Sequence, residues 1–132
     1  SSYPNFAKLI GNNVEGILGM SILSKKNPNA KKFFEDFIGK QGKEADTFFA
    51  VSTFASLEIL QASVKKVGLN RAALRDYIST NTHKTIMGEV KFSNNYNTST
   101  PGTVSQWQNN ELEVIWPKDK KTADSINKSN WK

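Results

Sequence analysis

The sequence predicts an α/β protein in which helices outnumber convincing strands. Strong helix patterns occupy residues 28–41 and 48–67, a shorter one occupies 71–79, and a β-hairpin pattern closes the order at 103–117. Each helix must bury its apolar stripe against a sheet or another helix. Because the sequence offers too few buried strands to cover these helices, we expect the main sheets to lie upstream of this chain or in a partner.

Length and composition fit one ordinary domain and exclude several function classes. The chain has 132 residues, of which 37% are hydrophobic, so it can build a core. No apolar run is long enough to span a membrane, and no charged-then-apolar leader opens the chain. Cys is absent, which excludes disulfides and thiolate metal sites. The single His83 has no carboxylates at ligand spacing, so we expect neither a metal nor another cofactor.

The first predicted elements are a helix end and a strand broken by glycines. A short helix is expected to stop at Gly11 in the left-handed conformation. Residues 14–23 form an apolar run that Gly16 and Gly19 interrupt. Such a run suits a buried strand whose backbone approaches another segment closely.

The clearest amphipathic helix is predicted over residues 28–41. Asn27 is a favoured N-cap, and Pro28 occupies the first helical position, where its missing N–H costs nothing. The apolar face follows the i, i+3, i+4, i+7 spacing and comprises Ala30, Phe33, Phe34, Phe37 and Ile38.

A longer helix is predicted over residues 48–67, with Asp46 and Thr47 at its start. Its sequence is apolar nearly all round, which predicts burial on most sides. Asn70 then caps a third helix over residues 71–79.

The second half of the chain reads as strands and turns. Residues 86–92 alternate weakly and predict one strand, and the polar stretch 93–102 predicts a flexible connection. Asn109 and Asn110 tolerate the positive φ of a type I′ turn, so they predict a two-residue hairpin. The resulting pairs are Trp107 with Leu112, Ser105 with Val114, Gln106 with Glu113, and Gln108 with Glu111. The tail after Pro117 is polar and expected to be loose.

No catalytic pattern stands out, so an enzyme is the least favoured class. Glu58 is isolated in its apolar helix, and the glycines do not lie between a strand and a helix as a phosphate loop requires. The net charge of +6 invites an anionic partner. Trp107 and Trp116 beside the Lys-rich tail make a small basic nucleic-acid-binding module the alternative function. Alternating aromatics on a hairpin more often form its buried face, so we expect no nucleic acid partner.

Six stretches, in this order, resemble one known family. The chain resembles the C-terminal part of type I periplasmic (extracellular) solute-binding proteins, with the branched-chain amino acid receptors of ABC transporters, the Leu/Ile/Val-binding family, as the closest subgroup. The matching stretches are residues 14–19, 30–33, 49–57, 74–78, 85–92 and 104–107. Residues 93–97 depart from the family, because the usual acidic-then-Gly turn is missing there.

The resemblance implies two α/β lobes that trap a ligand between them. Residues 1–22 would belong to the second lobe and 23–95 to the first. Residues 96–102 would be a hinge connection, 103–117 would return to the second lobe as its hairpin, and 118–132 would be a polar tail. The main sheets and most ligand contacts would lie upstream of this chain.

The resemblance also implies particular roles for single residues. Phe49 matches an aromatic that contacts the ligand side chain in amino-acid-binding members. The hinge residues would be Leu23, Ser24, Pro101 and Gly102. The implied partners are a small-molecule ligand, the permease subunits of an ABC transporter, and the remaining N-terminal part of the same protein. The implied location is periplasmic or extracellular, with a lipid anchor on that N-terminal part as one option.

Overall fold

Helices and antiparallel strands follow each other along the computed structural model, which describes residues 2–100 and 102–129. The helices are α1 (Phe6–Ile10), α2 (Lys31–Gln41), α3 (Phe49–Val67) and α4 (Arg71–Thr80). The strands are β1 (Leu18–Ser21), β2 (Thr82–Thr85), β3 (Gly88–Ser93), β4 (Tyr96–Asn97), β5 (Thr103–Gln108) and β6 (Glu111–Trp116). Short 3₁₀ turns span Gly11–Val14, Pro28–Ala30 and Lys118–Lys120. None of the helices in the described residues is long and apolar enough to cross a membrane.

The internal contacts divide the chain into two compact units. Unit 1 comprises Ser1–Ala50 and Gly102–Lys132, and unit 2 comprises Val51–Pro101. Helix α3 therefore begins in unit 1 and continues through unit 2. The lobe boundaries implied by the resemblance stay a prediction, because they concern a larger protein than these two units.

Unit 1 is built on an antiparallel sheet with the strand order β1-β5-β6. The predicted hairpin is confirmed: Asn109 and Asn110 have φ of 53° and 62°, as a type I′ turn requires. All four predicted pairs occur in the register of β5 and β6. This region was predictable because turn chemistry and alternation set the register locally.

A cluster of hydroxyl groups joins β1 to β5 inside unit 1. Ser21 Oγ lies 2.7 Å from Thr103 Oγ1 and also hydrogen bonds to Ser105 Oγ. Thr103 Oγ1 additionally donates to the Ser21 carbonyl at 3.0 Å. All three side chains are buried, and buried hydroxyls are tolerated when they satisfy one another in this way. The cluster fixes strands that are more than eighty residues apart in sequence.

Strand β1 is shorter and more exposed than the sequence predicts. The expected buried strand over residues 14–23 is a 3₁₀ turn, a bend and only four strand residues. Leu18 and Met20 are 57% and 63% exposed. Gly16 has a φ of +80°, which turns the chain, and its added Cβ would lie 2.9 Å from Lys128 Cα. The predicted close approach of a glycine backbone is therefore confirmed, while burial of the whole run is wrong.

The tail is held against the sheet in its described part, which corrects the expectation of a loose segment. We call residues 121–128 the C-terminal strap. Gln106 Oε1 accepts from the Ile126 amide at 2.8 Å, and Gln106 Nε2 donates to the Ile126 carbonyl at 2.8 Å and the Gly16 carbonyl at 3.0 Å. Lys128 Nζ donates to the Asn13 carbonyl at 2.7 Å. The Gln106 side-chain amide thus takes the place of a backbone hydrogen-bonding partner. Hydrophobic periodicity in the sequence does not predict such a contact.

A charged group is buried beneath the strap. Glu113, 8% exposed, accepts hydrogen bonds from Lys26 Nζ and from Thr122 Oγ1. Burial acts to raise the pKa of Glu113, but the hydrogen bonds from Lys26 and Thr122 outweigh it and hold the pKa below its usual value. The hydrogen bonds that Lys26 makes, first to Glu113 and then to Glu111, raise the pKa of Lys26. The pair ties the segment after β1 to the hairpin.

Helix α2 buries one side only. The Asn27 side chain accepts from the Asn29 amide at 2.9 Å, which confirms its capping role at the preceding 3₁₀ turn. Phe34 and Ala30 are buried, whereas Ile38 is 47% exposed. The end of the helix at Gly42, in the left-handed conformation, also agrees with the sequence.

Unit 2 combines α3 and α4 with the sheet β2-β3-β4. The Asn70 side chain caps α4 by accepting from the Ala73 amide at 3.0 Å, and α4 packs on β3. The strand predicted over residues 86–92 corresponds to β3, which begins two residues later. The stretch predicted as a flexible connection contains the short β4, which follows a turn in which Asn94 and Asn95 adopt positive φ. His83 is buried, and its Nε2 lies 3.0 Å from the Ile78 carbonyl.

Helix α3 buries a single stripe of its surface. The buried residues recur every four positions and are Val51, Ala55, Ile59 and Ser63. Phe54, Leu57 and Leu60 are 39%, 57% and 45% exposed, so burial on most sides is wrong for this chain. Glu58 has a structural role, because its Oε2 accepts from the Ile86 amide at 2.7 Å.

Candidate functional site

The candidate site is an open groove of about 480 Å³ in unit 1. We call it the aromatic groove. Its lining residues come from the chain start, β1, the start of α3 and β5. They are Ser2, Tyr3, Leu18, Gly19, Met20, Asp46, Phe48, Phe49 and Val104. The volume falls in the range that binds small molecules.

Phe49, the residue that the family resemblance singles out, lies at the first position of α3. Asp46 fixes this helix start, because its carboxylate accepts from the amides of Phe48 at 2.9 Å, Phe49 at 2.5 Å and Ala50 at 3.2 Å. This cap confirms the predicted role of Asp46. The cap places the Phe49 ring at the groove, where 57% of the residue remains exposed.

Two further aromatic rings surround Phe49. The Tyr3 ring is stacked on it, with centroids 6.2 Å apart and planes inclined by 22°. The Phe48 ring meets it edge-on at 5.1 Å. Both geometries lie within the range of favourable aromatic pairs. The rings thus form a continuous apolar wall rather than isolated exposed side chains.

A second part of the groove lining belongs to the unit 1 sheet. Leu18 pairs with Gln106 and Met20 with Val104, so these four residues share one face. Leu18 and Met20 are more than half exposed on that face. An exposed cluster of large apolar side chains is the informative exception on a protein surface.

The groove carries little charge. Asp46 carries the only carboxylate among its lining residues, and three backbone amides already bind that group. In the described residues no three His, Asp or Glu side chains are grouped to hold a metal ion. The arrangement suits the apolar part of a ligand.

Three of the four predicted hinge residues, Leu23, Ser24 and Gly102, lie near the sheet of unit 1. Leu23 and Ser24 are buried just after β1, and Ser24 Oγ accepts from the Lys26 amide at 3.0 Å. Gly102 is exposed just before β5, where its added Cβ would lie 3.5 Å from the Ser21 carbonyl oxygen. Pro101 lies outside the described residues. Because Ser21 pairs with Thr103, the two predicted hinge segments leave neighbouring strands side by side.

The family resemblance singled out Phe49 but not Tyr3, Leu18 and Met20, which line the same groove. The alternation of Leu18, Gly19 and Met20 could have placed two apolar residues on one strand face. No local signal connects Tyr3 with Phe49, because the contact joins positions 46 residues apart. Only the folded chain brings them together.

Comparison with known proteins finds solved structures that are similar to this chain. No protein-family profile matches the sequence, and no curated protein matches it either. A protein from Silicibacter pomeroyi assigned to branched-chain amino acid ABC transport matches with a TM-score of 0.76 and 15% identity, over 94% of this chain and 37% of its own. A leucine binding protein from Thermotoga maritima matches with a TM-score of 0.68 and 22% identity, over 86% of this chain and 33% of its own.

A third solved structure carries a different ligand. The solute-binding protein of an ABC transporter from R. palustris, in complex with benzoate, matches with a TM-score of 0.68 and 18% identity. The match covers 90% of this chain and 33% of that protein. The chain therefore spans about a third of the length of the structures it matches.

The likeness defines the fold. The chain has the fold of a segment of the type I periplasmic solute-binding proteins, as the ordered motifs predict. The solved proteins that share this fold include solute-binding proteins of branched-chain amino acid ABC transport. At these identities the likeness assigns no ligand.

Proposed function

We propose that this chain is part of the solute-binding component of an ABC importer, which captures a small ligand such as an amino acid or a similar compound. The observation that carries the proposal is the aromatic groove beside Phe49 in a fold shared with solute-binding proteins. An exposed aromatic wall at a capped helix start offers a small ligand apolar area to bury. These neighbours are solute-binding proteins rather than enzymes.

The proposed mechanism is closure of two lobes around the ligand. Phe49 would contact the apolar part of the ligand, and the segments around Leu23, Ser24, Pro101 and Gly102 would act as hinges. A ligand that binds the closed state better shifts the population toward it. Permease subunits would then recognise the closed shape, in a periplasmic or extracellular location.

The remaining part of the same protein is the other proposed partner. Phe54, Leu57 and Leu60 leave an apolar face on α3 exposed in unit 2. Covering such a face is favourable by about 25 cal/mol per Å² of apolar area. The matched structures have about twice as much additional chain as the segment they share with this one, which is enough to supply that cover.

The nucleic-acid alternative loses its main support. Trp107 is only 5% exposed, and its ring lies 6.3 Å from Phe6. A buried ring is not accessible for stacking on bases. Trp116 is 56% exposed, but a single ring beside scattered lysines makes a weak platform.

The test replaces Phe49 by Ala in the full-length protein and measures affinity by isothermal titration calorimetry. Leucine and benzoate, the ligands of two structural neighbours, are the first probes. We expect Phe49→Ala to weaken binding by about 1–3 kcal/mol, because the ring supplies a central part of the wall.

Phe92→Ala is the matched control, since it removes the same side chain from β3, outside the aromatic groove. We expect its affinity to equal that of the wild type. Unchanged affinity in Phe49→Ala, with lowered stability alone, would show that Phe49 is a core residue. Absence of any bound solute in a broad panel of amino acids and organic acids would overturn the proposed function itself.

A further inference from the structure

The two-ring wall of the aromatic groove indicates a preference among ligands, and this inference rests on the proposed function. We propose that Tyr3 is a specificity-determining residue that favours a ligand with a flat aromatic group over one with a branched aliphatic chain.

The first argument is geometric. The Tyr3 and Phe49 rings have nearly parallel planes, inclined by 22° with their centroids 6.2 Å apart, and both contribute to the surface of the groove. They are 56% and 57% exposed, which leaves a large part of that surface accessible. Phe48 meets Phe49 at 70° and so supports the surface from the side.

The second argument is energetic. Any apolar ligand group gains from burying area against these rings. A flat aromatic group gains an additional offset-stacking contribution, about 3- to 10-fold in affinity for a ring pair, which a leucine side chain lacks. Each wall ring that a ligand stacks on therefore increases the difference between aromatic and aliphatic ligands.

The third argument is that the charged group in the groove already has hydrogen-bonding partners. Its only carboxylate, on Asp46, is bound by backbone amides at the start of α3. The groove is also lined by the flexible Leu18 and Met20 side chains, which can adapt to a ring bound there. Shape and stacking therefore decide which apolar group fits.

The experiment compares benzoate and L-phenylalanine with L-leucine, using the full-length protein and calorimetric titration. Tyr3→Leu should weaken binding of the aromatic ligands about 3- to 10-fold and change leucine affinity by less than about 2-fold. Tyr3→Phe keeps the ring and should retain wild-type affinities. Tyr96→Leu is the matched control, because it removes an exposed tyrosine from β4, outside the groove.

Every outcome decides the inference. An equal loss for all three ligands, or no loss for any, overturns a specificity role for Tyr3. If the wild type binds leucine but neither aromatic ligand, the inference is wrong while the proposed function stands. If no solute of the broad panel binds, the proposed function and this inference both fall. Thermal unfolding of each variant identifies a folding defect, and if Tyr3→Leu does not fold, Tyr3→Met, which also removes the ring, takes its place in the same comparison of aromatic ligands with leucine.

Discussion

One face of the unit 1 sheet differs between its central strand β5, the covered end of this comparison, and its edge strand β1, the open end. At the covered end Gln106 is 3% exposed and hydrogen bonds to the C-terminal strap through Ile126. At the open end Leu18 and Met20 are 57% and 63% exposed beside the aromatic groove. Polar side chains are thus buried and apolar ones are exposed on the same face. The inversion of the usual preference indicates that β5 contributes to stability, and it makes the β1 side the proposed place for a ligand.

The largest expected effect breaks the covered end. Gln106→Leu removes the amide that satisfies the Gly16 carbonyl and both backbone groups of Ile126. Leaving buried polar groups without partners should lower the free energy of unfolding by about 2–4 kcal/mol. Urea denaturation followed by fluorescence measures this change in the free energy of unfolding.

The control for that change is Gln61→Leu, at an exposed position of α3, which should alter stability by less than about 0.5 kcal/mol. A similar small effect for Gln106→Leu would mean that the strap contributes nothing to the fold.

An intermediate effect is expected where the strap passes Gly16. Gly16→Ala places a Cβ 2.9 Å from Lys128 Cα at a φ of +80°, so both sterics and backbone conformation oppose it. We expect a loss of about 1–3 kcal/mol in the free energy of unfolding.

Gly39 provides the opposite case, since it lies inside α2 with nothing within 4 Å of an added Cβ. Gly39→Ala should stabilise the protein by about 0.5–1 kcal/mol through helix propensity. Differential scanning calorimetry of Gly16→Ala and Gly39→Ala compares the two changes in stability directly. If both substitutions change the free energy of unfolding in the same direction, the close packing of the strap against Gly16 is refuted.

The smallest effect on stability is expected at the open end. Met20→Ser removes an apolar side chain that is mostly exposed, so the free energy of unfolding should change by less than about 0.5 kcal/mol. Ligand affinity should fall modestly, because Met20 lines the groove. Leu69→Ser, at an 81% exposed site outside the groove, is the control for both measurements. A stability loss above about 2 kcal/mol would show that the open end is covered as core in the full-length protein.

Several elements were predictable because neighbouring residues determine them. Asn27, Asp46 and Asn70 each accept hydrogen bonds from amides within four residues. The register of β5 and β6 follows from Asn109 and Asn110. Local hydrogen bonding and φ preferences carry this information in a few consecutive residues. The ordered motifs added the fold class, which the solved structures share.

The sequence by itself therefore determined the helix starts, the hairpin and the likeness to solute-binding proteins, including the candidate role of Phe49. Only the tertiary structure decided the pairing of β1 with β5, the burial of Gln106 under the strap and the stacking of Tyr3 on Phe49. These contacts join positions 20 to more than eighty residues apart. The physical reason is that residues distant in sequence come into contact only when the chain folds and closes the loop between them. Local propensity and hydrophobic periodicity do not predict such contacts.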